Sequence, residues 1–340
     1  MVFPEEWQVL FMRYIQGSCY ESDFNLAMEQ YVFDALPRSD SWFMLWQNAP
    51  SVIIGKYQNA YAEVNREYLA EHNIPLIRRL SGGGAVYHDL GNINYTFIVD
   101  GTLSESENLA IFCRPLVSVL EQFGIHAQIS GRNDVTIDGM KISGTARYFK
   151  QGRIMHHGTI LFRSDLSVMP EILRVSKAKL ETKGIRSVKS RVTNIADHMK
   201  EQISVQQFLE AFRDYVRRET PTEDYILTEE DQENIRHIRD ERYGTWEWNW
   251  GKSPAFSQVK EQYVEGVGKL EIHMNAEHGR ILDCAVYGDY FGTGFTPETL
   301  EKLHGIRMQK EDILAAVKEM QIEQCIRGLD AERFAQLLIC

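Results

Sequence analysis

Arg78-Arg79-Leu80-Ser81-Gly82-Gly83-Gly84-Ala85-Val86-Tyr87-His88-Asp89-Leu90-Gly91-Asn92 decides how the chain is read. Two arginines precede three consecutive glycines, with Leu76-Ile77 before them and alternating Ile93, Tyr95, Phe97 and Val99 after. Apolar alternation on both sides predicts strand, tight glycine turn, strand, a hairpin. Glycine has no Cβ, so backbone N–H groups approach a ligand closely and φ > 0 costs little. Arg78 and Arg79 add permanently charged planar forks suited to phosphate or carboxylate. No Gly-Lys-Ser/Thr follows the glycines and no helical pattern begins after them, which excludes a Walker loop and a dinucleotide fingerprint.

A second informative stretch lies some fifty residues on. It reads Gly131-Arg132-Asn133-Asp134, then Gly139-Met140-Lys141-Ile142-Ser143-Gly144-Thr145-Ala146-Arg147, then His156-His157-Gly158-Thr159. Asp138-Gly139 between alternating runs predicts a hairpin turn. Lys141 then starts a strand, and Ser143, Thr145 and Arg147, at even spacing, are expected on its face. A lysine, two hydroxyls and an arginine make a poor core but a reasonable wall for a phosphate and an acyl carbonyl. His156-His157 is expected to be a satisfied structural pair; no carboxylate stands at ligand spacing, so no metal site is read there.

The rest of the chain fits a two-domain protein. Its 340 residues are 44% apolar and 25% charged, an ordinary globular composition. No apolar run nears the ~18 residues that span a bilayer, and the acidic N-terminal stretch (Glu5, Glu6) does not read as a secretory signal. Five scattered cysteines without a Cys-x-x-Cys pair are expected to be reduced thiols of a cytoplasmic protein with no zinc site. A net charge of −11 argues against a general nucleic-acid binder. Between Lys141 and Arg191, however, twelve Lys/Arg stand against three Asp/Glu, a surface suited to an acidic partner.

Residues 7–15 read as a strand, and Phe24 to Leu36 as an amphipathic helix capped at Ser22-Asp23 and stopped by Pro37. Ser41–Gln47 and Ser51–Gly55 read as strands, with Trp46, as easily a core tryptophan as a ligand contact, ending the first. Helices are expected at about 60–72, 106–123, 169–180 and 204–219. Acidic stretches at 223–224 and 229–233 mark surface. The run Trp246-Glu247-Trp248-Asn249-Trp250 reads as a strand or packed linker at a domain boundary. A small α+β unit follows, with strands near 261–274 and 279–287 and helices from about 297, 310 and 329. Thr296-Pro297 supplies an N-cap with proline at N1.

Arg-Arg-x-Ser-Gly-Gly-Gly-Ala-Val-Tyr-His-Asp-x-Gly-Asn, Gly-Arg-Asn-Asp, Gly-x-Lys-x-Ser-Gly and His-His-Gly-Thr together resemble the lipoate–protein ligases in order and spacing. The likeness continues through Lys183–Asn194 and Trp246–Gly251, so it covers nearly the whole chain, including the accessory C-terminal domain that only some members carry. The N-terminus is slightly longer than the family needs, which touches nothing catalytic. The resemblance implies a mixed α/β (α+β) fold, a catalytic domain at 1–248 and an accessory domain at 249–340. It implies a two-step reaction: lipoate and Mg-ATP give lipoyl-AMP and pyrophosphate, and the lipoyl group passes to a lysine of a carrier. The implied carriers are the lipoyl domains of 2-oxo acid dehydrogenases and the glycine cleavage H protein.

Carried onto this chain, the nucleotide-contacting positions are Arg79, Gly84, Ala85, Val86, Tyr87 and Lys141, helped by Asn133, Asp134 and the Ser143–Thr145 segment. The lipoyl tunnel includes Trp46 and the Ser81, Gly82 and Gly83 backbone. Lys141 is the catalytic residue, bridging the lipoate carboxylate and the α-phosphate by charge. The nearest rival is an octanoyl or lipoyl transferase on the same scaffold. It needs an activated thiolate near the lysine, and no cysteine lies between Cys113 and Cys284. Biotin ligase shares the architecture but carries a different glycine loop. A non-catalytic lipoyl-domain binder is disfavoured by the intact lysine and loop.

Overall fold

A computed structural model describes residues 11–101, 109–130, 134–173, 192–253, 256–288 and 294–339. The chain separates into two compact units, one of residues 1–58 with 63–245 and one of 59–62 with 246–340. The fold is mixed α/β, with helices flanking mixed sheets in the first unit and an antiparallel sheet in the second.

The first unit is built on an eight-stranded sheet in the order β11-β1-β2-β6-β10-β9-β8-β7. Its strands are β1 Met12–Gln16, β2 Ser41–Trp46, β6 Asn92–Asp100, β7 Gln128–Ser130, β8 Asp134–Ile137, β9 Met140–Lys150, β10 Arg153–Leu161 and β11 Thr222–Asp224. β11, β1 and β2 pair in parallel and the others antiparallel. One face carries the core: Phe43, Tyr95 and Phe97 pack with Phe112 and Phe212 from helices Leu109–Gln122 and Val205–Glu219. Ser204 and Gln207 close a capping box on the second of these helices, satisfying backbone donors that its own turns leave free. Asp138 (φ 49°) and Gly139 (φ 78°) form the β8–β9 turn with two positive φ angles, as an Asp-Gly hairpin requires.

The glycine stretch is not a hairpin. β4 Leu76–Arg78 and β5 Val86–His88 do not pair with each other. β3 Ser51–Ile54 lies between them, parallel to β4 and antiparallel to β5, so the glycine loop arches over the end of β3. A Cβ on Gly55, just past β3, would collide with the carbonyl of Gly83, which shows how tightly the loop lies on that strand end.

Other expectations need correcting. The helix expected over 60–72 is two short ones, Ala60–Glu63 and Arg66–Glu71, and only Met169–Ile172 of the 169–180 segment is described. Asp231, read as surface, is buried, accepting the hydroxyls of Tyr31 (2.6 Å) and Tyr225 (2.9 Å). Residues 7–10 and 174–191, with the basic residues of that second stretch, lie outside the described residues.

The second unit holds β12 Phe256–Val264, β13 Gly268–Glu277 and β14 Arg280–Gly288 in an antiparallel meander. The single strand expected near 261–274 is in fact two, because the chain turns through Gly266 at φ 80°. Among the described residues four helices follow the sheet, and Thr296 caps the Thr299 N–H with Pro297 at the first helical turn. The tryptophan-rich run is a short helix, Trp246–Asn249, rather than a strand, and Trp250 packs on Tyr61 at 5.2 Å. Among the described residues no helix is long and apolar enough to cross a membrane.

Candidate functional site

The cleft of the first unit lies on the sheet face opposite the Phe97 core, under the glycine loop and helix Ser22–Asp34. Register places its floor. Trp46, Asn94, Thr159, Gly144 and Asp134 stand directly opposite one another across β2, β6, β10, β9 and β8, so they share one face. A parallel row runs Met44, Thr96, His157, Ala146.

Lys141 joins this face only because β9 is bulged. β8 pairs Val135 with Ser143 but Thr136 with Lys141, so the extra residue flips the alternation between Lys141 and Ser143. Ser143 and Thr145 were expected beside the lysine; they are instead buried on the opposite face, where Thr145 meets Tyr95 and Cys113. The lysine arches over Gly144: a Cβ there would stand 2.5 Å from Nζ. Its ammonium pairs with Asp134 at 2.7 Å, both side chains about one-third exposed.

The two arginines do different jobs from the one their charge suggests. Arg78 is fully buried, and its Nη1 donates to the carbonyls of Gly55, Lys56 and Gln58 at 3.1, 3.1 and 2.7 Å, pinning that turn. Arg79 donates to the carbonyls of Gly82 (2.7 Å), Gly84 (2.8 Å) and Ile53 (3.2 Å) and to Ser81 Oγ (3.0 Å). It gathers the loop's carbonyls behind the cleft. Burial pulls its guanidinium down to about 10, with Glu29 opposing that shift. Gly83 and Gly84 remain exposed, and a Cβ on Gly84 would meet nothing within 4 Å. Gly83 takes φ 96°, the left-handed region glycine tolerates.

A buried hydrogen-bonded chain backs the cleft. Trp46 Nε1 donates to Thr96 Oγ1 (3.1 Å), and Thr96 donates to Glu29. Glu29 meets His157 Nδ1 at 3.0 Å, and His157 Nε2 meets Ser81 Oγ at 2.6 Å. With the ring proton on Nδ1 every donor finds an acceptor. The order Ser–His–Glu is that of a nucleophilic triad, but Ser81 is 1% exposed and already accepts from Arg79, so the arrangement braces the loop. His157 and its neighbour point to opposite faces of β10. His156 stacks on Phe112 (4.3 Å), and neither of its ring nitrogens has a partner among the described residues. It is therefore not half of a satisfied pair, and burial pushes it well below the ordinary histidine range.

Of the residues singled out by sequence, Trp46, Arg79, Gly83, Gly84, Ala85, Val86, Lys141, Gly144 and Thr145 line the cleft, Thr145 with its side chain turned to the core face. Ser81 and Gly82 sit just behind the loop. Asp134 reaches the site through Lys141. Tyr87 points away from the cleft between Val86 and His88, and burial raises its phenol to about 12. Asn133 lies outside the described residues. No cluster of three metal-ligating side chains occurs among the described residues.

Residues 21–217 match the lipoyl protein ligase A/B catalytic domain, and 253–338 match the bacterial lipoate protein ligase C-terminus. The chain belongs to the lipoate–protein ligase family. Lipoate–protein ligase 1 of Staphylococcus aureus is 37% identical over 92% of this chain and 95% of its own length. Among solved structures, a bipartite lipoate protein ligase of Thermoplasma acidophilum, described with its E2 lipoyl domain, is 26% identical. Its TM-score is 0.62 over 71% of this chain and 96% of that one. A lipoate-protein ligase A bound with ATP shares the fold at 23% identity and TM-score 0.59, over 71% of this chain and 98% of that one.

Membership of the lipoate–protein ligase family makes the chain an enzyme, and the cleft holds residues that reading the sequence missed. Glu29, His88, Asn94 and Thr96 are buried polar groups at or behind its wall. Glu29 carried a signal: it is a carboxylate inside the apolar run Leu26-Ala27-Met28-Glu29-Gln30-Tyr31-Val32-Phe33. The helix expected to be amphipathic is buried on nearly every side.

Proposed function

We propose that this chain is an ATP-dependent lipoate–protein ligase that forms lipoyl-AMP and then acylates a carrier lysine. The observation carrying this reading is the position of Lys141. Its Nζ stands over Gly144 in the cross-strand row that ends at Trp46, facing the open glycine loop.

In the first step a carboxylate oxygen of lipoate attacks the α-phosphorus and pyrophosphate leaves. The Gly83–Val86 backbone N–H groups hold phosphates, with Arg79 acting through the loop whose carbonyls it ties back. Lys141 neutralises charge shared by the carboxylate and the α-phosphate. The acyl chain runs from Lys141 toward Trp46, past Leu26, Ile53 and Val86. In the second step the carrier amine attacks the acyl carbonyl and AMP leaves, Lys141 stabilising the departing phosphate. In this reading the Tyr87 backbone, Asn133 and Asp134 help hold the nucleotide, and the Ser81 and Gly82 backbone backs the tunnel wall. Magnesium arriving on a triphosphate needs only one or two protein carboxylates, and Asp134 beside Lys141 is the fitting one; bound there it would screen phosphate charge.

The carriers in this reading are lipoyl domains of 2-oxo acid dehydrogenase complexes and the glycine cleavage H protein, drawn by the basic 141–191 segment. The compartment is the cytoplasm, and the functional division falls at 248/249. The transferase alternative lacks its thiolate: Cys113 lies on the core face beneath β9, its thiol raised to about 11 by burial. The deciding experiment is lipoate-dependent pyrophosphate release from ATP without carrier. Release lost in Lys141→Ala supports the ligase; no release, with ATP-free acyl transfer from an acylated carrier, refutes it.

A further inference from the structure

Residues 59–62 belong to the second unit, although the chain on either side of them belongs to the first. The backbone therefore passes between the units at three places, after Gln58, after Ala62 and after Thr245. A simple tandem arrangement would cross once. The short excursion begins four residues beyond Gly55, the glycine on which the Ser81–Gly84 loop lies.

Inside the second unit the excursion is held by packing and by hydrogen bonds. Tyr61 is buried in that unit's apolar cluster, its ring 5.2 Å from that of Trp250. A Cβ on Gly279 would stand 2.9 Å from the Tyr61 hydroxyl oxygen and 2.8 Å from the Trp246 ring, so the socket is full. The buried Ala60 N–H donates to Ser253 Oγ at 3.1 Å, and Asn59 Oδ1 accepts the Tyr61 N–H at 3.0 Å. A buried aromatic ring is the largest apolar anchor that four residues can carry.

Inside the first unit the neighbouring residues lead straight to the loop. The Gln58 N–H donates to the Gly55 carbonyl (3.1 Å), while Gln58 Oε1 accepts the Gly55 N–H (2.7 Å). Arg78 pins three carbonyls of the same turn. The turn then carries the loop: the Lys56 N–H donates to the Ser81 carbonyl at 2.8 Å, and Gly55 lies against the Gly83 carbonyl. On the far side, Val64 is fully buried and bridges Leu173. A chain held at Gln58, Tyr61 and Val64 has little slack between its anchors.

We propose that Tyr61 is a positioning residue for the glycine loop: seated in the second unit, it fixes the Gly55–Gln58 turn, and that turn fixes the backbone at Ser81–Gly83. This rests on the ligase reading for what the loop holds. A shift of about 1 Å in a group that positions a substrate is enough to be felt in the reaction. Trp46 and Lys141 sit on β2 and β9 of the eight-stranded sheet, off this path, so the defect falls on ATP rather than on the acid.

Two variants of the full chain test the link. Tyr61→Ala empties the socket. Two glycines inserted between Gln58 and Asn59 leave every side chain in place and add only slack. Amide exchange over residues 53–86, read by mass spectrometry without nucleotide, should quicken at least fivefold in both. The KM for ATP in pyrophosphate release should rise at least fivefold, with kcat and the KM for lipoate within twofold. If Tyr61→Ala does not fold, the insertion carries the test alone. Exchange or an ATP KM unchanged by the insertion would make Tyr61 a packing residue of the second unit and overturn the proposal. Quickened exchange in both variants, with no pyrophosphate released by the unaltered chain, would refute adenylation and leave the link intact.

Discussion

Lys141 lies directly across Gly144, its Nζ 2.5 Å and its Cε 2.7 Å from where a Cβ on that glycine would be. The lysine's aim therefore depends on a hydrogen atom three residues away. Gly144→Ala should displace the ammonium from the cleft and lower lipoate-dependent pyrophosphate release at least tenfold, with the unfolding midpoint little changed. Normal release in that variant would show that the lysine works from another position.

Lys141→Ala should fold normally and lose adenylation by a hundredfold or more, the usual scale for removing one charge-stabilising group. The stability cost should stay below about 1 kcal/mol, since its ion pair with Asp134 is partly exposed. Pyrophosphate release and a denaturant titration on the same sample check both halves.

Glu29→Ala should be damaging in a different way. It strips a carboxylate from Thr96 and His157 in a buried chain, at about 2–4 kcal/mol. The brace on Ser81 loosens with it, so activity should fall along with a lowered urea midpoint. An unchanged midpoint would mean that the chain is not structural.

Acid sensitivity follows from His88 and His156, both held neutral below the usual histidine range by burial. The unfolded chain takes up these protons near pH 6.5 and the folded one far lower, so stability is intact above about 6.5 and falls as pH drops toward about 3. Each histidine contributes up to about 1.4 kcal/mol per pH unit in that window. Denaturant midpoints at pH 7, 5.5 and 4.5 should fall, and His156→Leu should flatten the fall by its share.

Much of this was legible in the residues. Asp138-Gly139 announced its turn, Thr296-Pro297 its helix start, and the glycine loop and Lys141 do face one cleft. What stayed hidden depends on pairing between distant segments. Nothing between Arg78 and Val86 reveals that β3 inserts between them, so the loop read as a hairpin. Even spacing placed Ser143 and Thr145 beside the lysine, but the bulge overrides spacing and pairing alone reveals it. Cys113 is far from Lys141 in sequence yet lies under the same strand, on its other side. Neighbouring histidines looked like a pair, although consecutive strand residues face opposite ways.

The β9 irregularity also has a meaning for how this strand tolerates change. Residues before it and after it answer to opposite surfaces, so a single-residue deletion between Lys141 and Ser143 would act as a switch of allegiance. It would drive a cation toward the aromatic interior or bring Ser143 and Thr145 out into the cleft. Length, more than chemistry, is what those few positions must hold constant.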